Sequence, residues 1–172
     1  MRKNYSILVA FLVFSCVFVV SCSDSEPTNL GEFTGNEVTY QLFSASDYNI
    51  AGHIIFKQKT DNGIQAEVSL QNTQDGALHP LHLHYGAIGN DGDLALLLEP
   101  IKGLSGKSTT VFSILGDESK FTYDDLLNFD GSVKVHLDDG LNRDVVLAGG
   151  NIGKNNLNST SIKACTDFTD GI

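Results

Sequence analysis

The stretch GHIIFKQKTDNGIQAEVSLQNTQDGALHPLHLHYG, residues 52–86, decides the fold. Within it, residues 64–70 and 81–85 alternate apolar and polar side chains, a period of two that is typical of half-buried strands. The triplet Asp61-Asn62-Gly63 comes directly before the first of these segments and indicates a hairpin turn. The stretch therefore predicts consecutive β-strands joined by tight turns.

Segments of the same kind continue on both sides of this stretch. We predict further strands at residues 38–43, 50–56, 94–98, 109–115, 133–137 and 145–152. Thr122 interrupts the pattern, because it is a good helix N-cap with Asp125 three residues later and therefore predicts a short helical turn. About eight short strands at this spacing indicate an all-β sandwich or barrel.

The first 21 residues have the features of an export leader. Residues 7–20 form an almost entirely apolar run that is shorter than the roughly 20 residues needed to cross a bilayer, and it suits the core of a signal peptide. The sequence Val19-Val20-Ser21-Cys22 follows and resembles a lipobox. We predict a lipoprotein signal peptide at residues 1–21 and lipidation of Cys22, with a plain secretory signal as the alternative.

The rest of the chain divides into three parts. Residues 22–36 are polar and predict a tether, residues 37–154 the β domain, and residues 155–172 a loose tail. The chain carries 11 Lys+Arg against 21 Asp+Glu, and this acidic balance excludes nucleic acid as a partner. We therefore expect a membrane partner through the lipid anchor, and a cell-envelope location as an outer-membrane lipoprotein that faces the periplasm or the surface.

Three histidines are candidate metal ligands. His82 and His84 are two residues apart in a predicted strand, so their rings leave the same face. His136 lies in a second alternating strand, on the face of Lys134 and opposite the apolar Val135. Three neutral imidazoles suit copper or zinc, and we expect metal affinity to fall as the pH drops through roughly 6.5. The alternative is a histidine pair that merely lies on the surface.

Several motifs are similar to those of copper/zinc superoxide dismutases. Residues 52–86 contain counterparts of the family's G-x-I-x-F-x-Q motif, its N-G hairpin and its G-L-H-x-x-H-x-H block. VKVHLDDG, residues 133–140, resembles the strand that carries a further copper-binding histidine. LAGGNIG, residues 147–153, resembles the closing L-A-C-G-x-I-G motif. The resemblance implies a Greek-key β-sandwich or barrel.

The resemblance also implies roles for individual histidines. His82, His84 and His136 match copper ligands of the family. His79 matches a structural histidine near the copper site, and His53 matches an apolar position with no role in metal binding.

This sequence departs from the dismutase pattern in three places. No histidine lies between His84 and His136, so the loop that binds zinc and supplies the bridging histidine is missing and no zinc site of the dismutase type is expected. The disulfide cysteines are absent, and Gly149 stands where the closing motif has cysteine. Val146 holds the position of the anion-guiding arginine, so Arg143 is the candidate for that catalytic role.

The same region also resembles CHRD domains, which share the H-x-H and the later V-x-V-H and have no established catalysis. Three functions therefore stay open. The chain is a copper-binding module of the envelope, a copper-dependent superoxide dismutase of weak activity, or a non-catalytic CHRD-like surface module that binds a protein or a glycan.

Overall fold

A computed structural model describes residues 32–74, 76–90 and 92–155. The predicted leader at residues 1–21, the lipidation site Cys22 and the predicted tail beyond residue 155 lie outside these residues. No helix in the described part of the chain has the length and the apolar character needed to cross a membrane.

Eight strands and one helix form within the described residues. They are β1 (Phe33–Ser44), β2 (Ala51–Lys59), β3 (Ile64–Gln71), β4 (Leu78–Tyr85), β5 (Leu94–Lys102), β6 (Lys107–Phe112), α1 (Tyr123–Asn128), β7 (Asp130–His136) and β8 (Val146–Gly153). This confirms the predicted all-β fold of about eight strands with one short helix.

The strands close into an antiparallel barrel in the order β1-β2-β3-β6-β5-β4-β7-β8. The barrel is closed by the pairing of β1 with β8. β7 follows the hairpin-connected strands β4, β5 and β6 in sequence but lies beside β4, which is the Greek-key arrangement. This arrangement matters for the site because it brings β4 and β7, which are far apart in sequence, into direct contact.

Alternation along the strands builds the core. On β4, the buried residues Leu81 and Leu83 alternate with the more exposed His82 and His84. β3 alternates in the same way, and β7 buries its two valines in the interior. Fully burying one such aliphatic side chain stabilises the fold by about 1.5–3 kcal/mol, so a shift of one residue in register would be costly. The core thereby fixes which side chains stay on the outer face.

The short helix has the predicted cap. The hydroxyl oxygen of Thr122 accepts a hydrogen bond from the backbone N–H of Asp125, and the Asp125 carboxylate accepts one from the backbone N–H of Thr122. This reciprocal capping box satisfies backbone donors that the first turn leaves free. Tyr123 and Leu126 are buried by the helix, which joins β6 to β7.

The first strand begins earlier than the sequence predicted. β1 starts at Phe33, which pairs with Lys59 of β2, so residues 33–36, which we assigned to the tether, belong to the strand. These residues carry little apolar signal because they are held by polar contacts: the Asn36 amide donates to Gln58 Oε1 at 2.8 Å. Gly35 adopts φ 94° in the irregular part of the pairing, a conformation that glycine adopts readily.

Candidate metal centre

The pairing of β4 with β7 brings the three histidines together on the outer face of the barrel. His82 pairs with Lys134, and His136 follows two residues later on the same face of β7. The ring centroids of His82 and His136 lie 4.6 Å apart, those of His82 and His84 5.7 Å, and those of His84 and His136 6.3 Å. The predicted convergence of the three rings is confirmed.

Each of the three rings offers one nitrogen as a ligand atom, and these three nitrogens all lie within 4.8 Å of one another. A metal held at about 2.0–2.1 Å from each nitrogen needs them within roughly 4 Å of one another, so small ring movements suffice to close the centre. Within residues 32–74, 76–90 and 92–155, this is the one group of three or more His, Cys, Asp or Glu side chains with such spacing. The arrangement can hold a metal ion.

Two backbone carbonyls fix the tautomers of the buried rings. His84 Nδ1 donates to the carbonyl oxygen of Gly92 at 3.0 Å, and His136 Nδ1 donates to that of Arg143 at 2.6 Å. Because a carbonyl oxygen only accepts, each Nδ1 carries the hydrogen and each Nε2 carries a free lone pair. Both Nε2 atoms are buried without a hydrogen-bond partner. Metal-binding histidines typically have this arrangement, with the second ring nitrogen donating to a carbonyl or carboxylate.

The loop after β4, which contributes the Gly92 carbonyl, is held against β8. The backbone N–H of Ile88 donates to Asn151 Oδ1 at 2.6 Å. The Ile88 side chain lies directly on Gly149, where a Cβ would overlap with it and with the carbonyl oxygen of Val133. Glycine at the position where the dismutase motif has cysteine therefore lets the loop lie close to the sheet.

The loop between β7 and β8, which contributes the Arg143 carbonyl, is held by its own polar contacts. The Asp138 carboxylate accepts hydrogen bonds from the backbone N–H groups of Gly140, at 2.7 Å, and Asn142, at 3.1 Å. The Asn142 amide donates to the same carboxylate at 2.8 Å. Asp138 thus shapes the loop that positions His136.

The other two histidines of the described chain lie outside the cluster. His79 is fully buried on the inner side of β4, and its Nδ1 donates to the carbonyl oxygen of Leu137, at 3.1 Å, directly after His136. It therefore supports the end of β7 rather than acting as a ligand. His53 lies on β2, which pairs with β1 and β3 and not with the strands of the site.

Arg143 contacts the site through its backbone. Its side chain is 75 % exposed, and its Nε lies 3.8 Å from Asp144 Oδ1. Among the described residues, no hydrogen bond or ion pair joins its guanidinium to the three histidines. Its anion-guiding role stays a prediction, while its carbonyl oxygen has a role in holding His136 that the sequence did not reveal.

Burial keeps the three rings neutral. Desolvation lowers the pKa of His82 to about 4, with smaller contributions from the charges of His136, His84 and Lys134. Desolvation also lowers the pKa of His84 and of His136, although the hydrogen bonds to backbone carbonyls oppose the change. All three imidazoles are therefore neutral at neutral pH, the state that a metal ligand requires.

Lys134 is the residue of this site that the sequence analysis did not use. It is the direct cross-strand partner of His82. Its positive charge contributes to lowering the pKa of all three histidines. The signal was present in the alternation of residues 133–137, but the pairing of β7 with β4 was needed to place the lysine beside the rings.

In comparisons with known proteins, no protein family and no curated protein was found to match the chain. Fold and site together define an antiparallel β-barrel with a three-histidine cluster on its outer face that can hold a metal ion.

Proposed function

We propose that this chain is an envelope lipoprotein whose β-barrel binds one copper ion through His82, His84 and His136. The observation that carries the proposal is the three-histidine cluster, in which the Nε2 atoms of His84 and His136 are buried without a hydrogen-bond partner. Nε2 of His79 is also buried without a partner, but that ring lies outside the cluster. A buried polar atom without a partner destabilises the fold by about 1–3 kcal/mol, and a metal ion would remove that cost at both atoms. The third ring, His82, lies within reach of the same point.

The ligand chemistry favours copper. The cluster consists of neutral imidazoles alone, without a thiolate or a carboxylate. Copper(II) binds nitrogen ligands more tightly than zinc does in the general order of divalent metals. The same three histidines also match copper positions in the resemblance to dismutases. A bound copper ion would supply one-electron redox chemistry, and the chain would contribute the carbonyl-fixed rings that orient it.

We place storage or buffering of copper above weak dismutase activity. The chain has no histidine between His84 and His136 to supply the bridging ligand and the zinc site of the dismutase pattern. The guanidinium of Arg143, the candidate for guiding an anion, is largely exposed and close to Asp144. Metal binding therefore has geometric support, whereas efficient catalysis lacks it.

A second candidate function is a non-catalytic, CHRD-like surface module that binds a protein. Leu97, which pairs with His82, is 63 % exposed, and Leu94, which pairs with His84, is 47 % exposed. Two exposed leucines on the strand next to the histidines are suited to contact with a partner. In this alternative the histidines form part of the contact surface and bind no metal.

Titration of the metal-free protein with copper tests the proposal. We expect uptake of one copper ion per chain, because one cluster of ligand nitrogens is present among the described residues. Electron paramagnetic resonance should show nitrogen hyperfine coupling from the imidazoles. The same titration with zinc ranks the two metals. Absence of copper uptake would overturn the copper proposal and leave the surface module as the better candidate.

Copper binding is expected to persist below pH 6.5, in contrast to what the unperturbed histidine pKa of roughly 6.5 predicts. Protons compete for a ligand nitrogen only below its pKa, and burial lowers that pKa for all three rings, to about 4 for His82. Affinity should therefore change little at first as the pH falls from neutral, and should decline steeply only at lower pH. Competition titrations between about pH 7.5 and about pH 4.5 measure this.

Circular dichroism at each pH serves as the control for this experiment. The pKa values of the three histidines are lower in the folded state than in the unfolded chain. The free energy of unfolding that depends on these neutral rings is therefore fully present above roughly pH 6.5, and it declines as the pH falls towards the folded-state pKa values. A tenfold or greater loss of affinity per pH unit that begins near pH 6.5 in folded protein would contradict the prediction.

A further inference from the structure

Lys134 lies beside the candidate metal centre. Lys134 is the antiparallel partner of His82 and is separated by one residue from His136 on the same strand. Directly opposed residues on one face of an antiparallel pair have Cβ atoms about 4.5–5.5 Å apart. The lysine and the ligands therefore share one small area of the outer face.

Lys134 forms no ion pair with any carboxylate of the described residues. Among the described residues, Lys57, Lys59 and Lys154 each form an ion pair, with Glu67, Glu32 and Asp130, whereas no carboxylate oxygen lies within 4.0 Å of the Lys134 ammonium. Lys102, Lys107 and Lys120 form no ion pair among the described residues either, so Lys134 is distinguished by its place opposite His82. The Asp144 carboxylate contributes a negative charge near the site, since it raises the pKa of His136.

A fixed positive charge next to a metal cation is unfavourable by itself, because like charges repel. The repulsion is relieved when an anion binds between the two charges. Three protein ligands also leave a position on the metal open for a further ligand. The repulsion between the lysine and the metal and the open position on the metal both favour an anion as the further ligand.

We propose that the open position of the centre takes a small monovalent inorganic anion, and that the ammonium of Lys134 is its second contact. The proposal rests on the proposed copper binding and names the ligand class that the same site accepts. Lys134, rather than Arg143, then supplies the positive charge that draws an anion to the metal.

Azide is a suitable probe, since it binds copper(II) with a change in the visible absorption spectrum. Full-length protein loaded with copper(II) is titrated with azide as wild type, Lys134→Gln, Lys134→Arg and Lys107→Gln. Lys107 is the matched control, because it too has no carboxylate within 4.0 Å in the described part of the chain and lies on β6, which pairs with neither β4 nor β7. Copper stoichiometry and copper affinity are measured for each variant before azide is added.

We expect Lys134→Gln to weaken azide binding by about tenfold or more, the loss typical of one charge-assisted hydrogen bond. Lys134→Arg should retain most of the affinity, and Lys107→Gln all of it. Lys134→Gln should also bind copper(II) as tightly as wild type or more tightly, because a repulsive charge is removed. This opposite change in the two affinities would not arise from partial misfolding.

The experiment distinguishes failure of the role of Lys134 from failure of copper binding itself. Equal azide affinity of wild type and Lys134→Gln, or no azide binding by copper-loaded wild type, would overturn the role of Lys134 and leave copper binding intact. Failure of the wild type to take up copper would overturn the proposed function, and this inference with it.

Discussion

Replacing His82 and His136 together by alanine is expected to lower copper affinity by at least about a thousandfold. In structural zinc sites, four ligands together provide a binding free energy of roughly 10–16 kcal/mol, so the loss of two ligands removes a large share of it. One imidazole, from His84, would remain. Both side chains belong to the outer face of the barrel, so the apolar core is unchanged. Competition titration with a chelator of known affinity measures the loss.

His53→Ala is the matched control for this double variant. His53 is a partly buried histidine on β2, outside the cluster, and its removal should leave copper affinity unchanged. Circular dichroism should show the same strand content in all three proteins. Retention of tight, stoichiometric copper binding by the double variant would show that the metal binds elsewhere and would refute the site.

Cys22→Ala is expected to move the protein from the membrane fraction to the soluble fraction. The lipobox predicts that the Cys22 thiol carries the diacylglycerol, and two acyl chains are enough for stable anchoring. The acidic chain, with a formal net charge of −10, offers no attraction to anionic headgroups in its place. Fractionation followed by a high-salt wash measures the change.

Cys165→Ala is the matched control for the anchor, because it removes a cysteine that lies far from the lipobox. It should leave the protein in the membrane fraction. Mass spectrometry of the wild-type N-terminal peptide provides a second measurement and should show a lipid-modified Cys22. An unmodified Cys22, or a Cys22→Ala protein that stays with the membrane, would contradict the lipoprotein prediction.

Local patterns in the sequence were sufficient to predict the strands and the strand faces on which the histidines lie. Alternation at residues 81–85 placed His82 and His84 on one face because the neighbouring leucines must be buried. The cap at Thr122 was equally local and was predicted correctly. Both features depend on residues within a few positions of each other, which is why a single sequence reveals them.

The remaining features depend on contacts between distant segments. Nothing near His136 in the sequence indicates that it lies diagonally across from His82, or that a lysine is placed opposite that ring. The carbonyl partners of the two Nδ1 atoms come from loops whose backbone conformation has no sequence pattern of its own. The early start of β1 was missed for a related reason, since polar contacts with β2 rather than apolar side chains hold residues 33–36.

The Greek-key position of β7 beside β4 has a consequence for how the protein matures. The ligands lie on strands separated in sequence by two further strands and a helix, so the centre is a contact of high sequence separation. Chains dominated by such contacts fold slowly, because the entropy lost in closing a long loop precedes the stabilisation that the contact provides. A chain that has not yet folded therefore exposes its histidines before they are brought together, and under the proposed function a metal ion can be held only once the barrel has closed. The affinity for a metal ion would then depend on the finished fold, and an unfolded chain would compete weakly for the same ion.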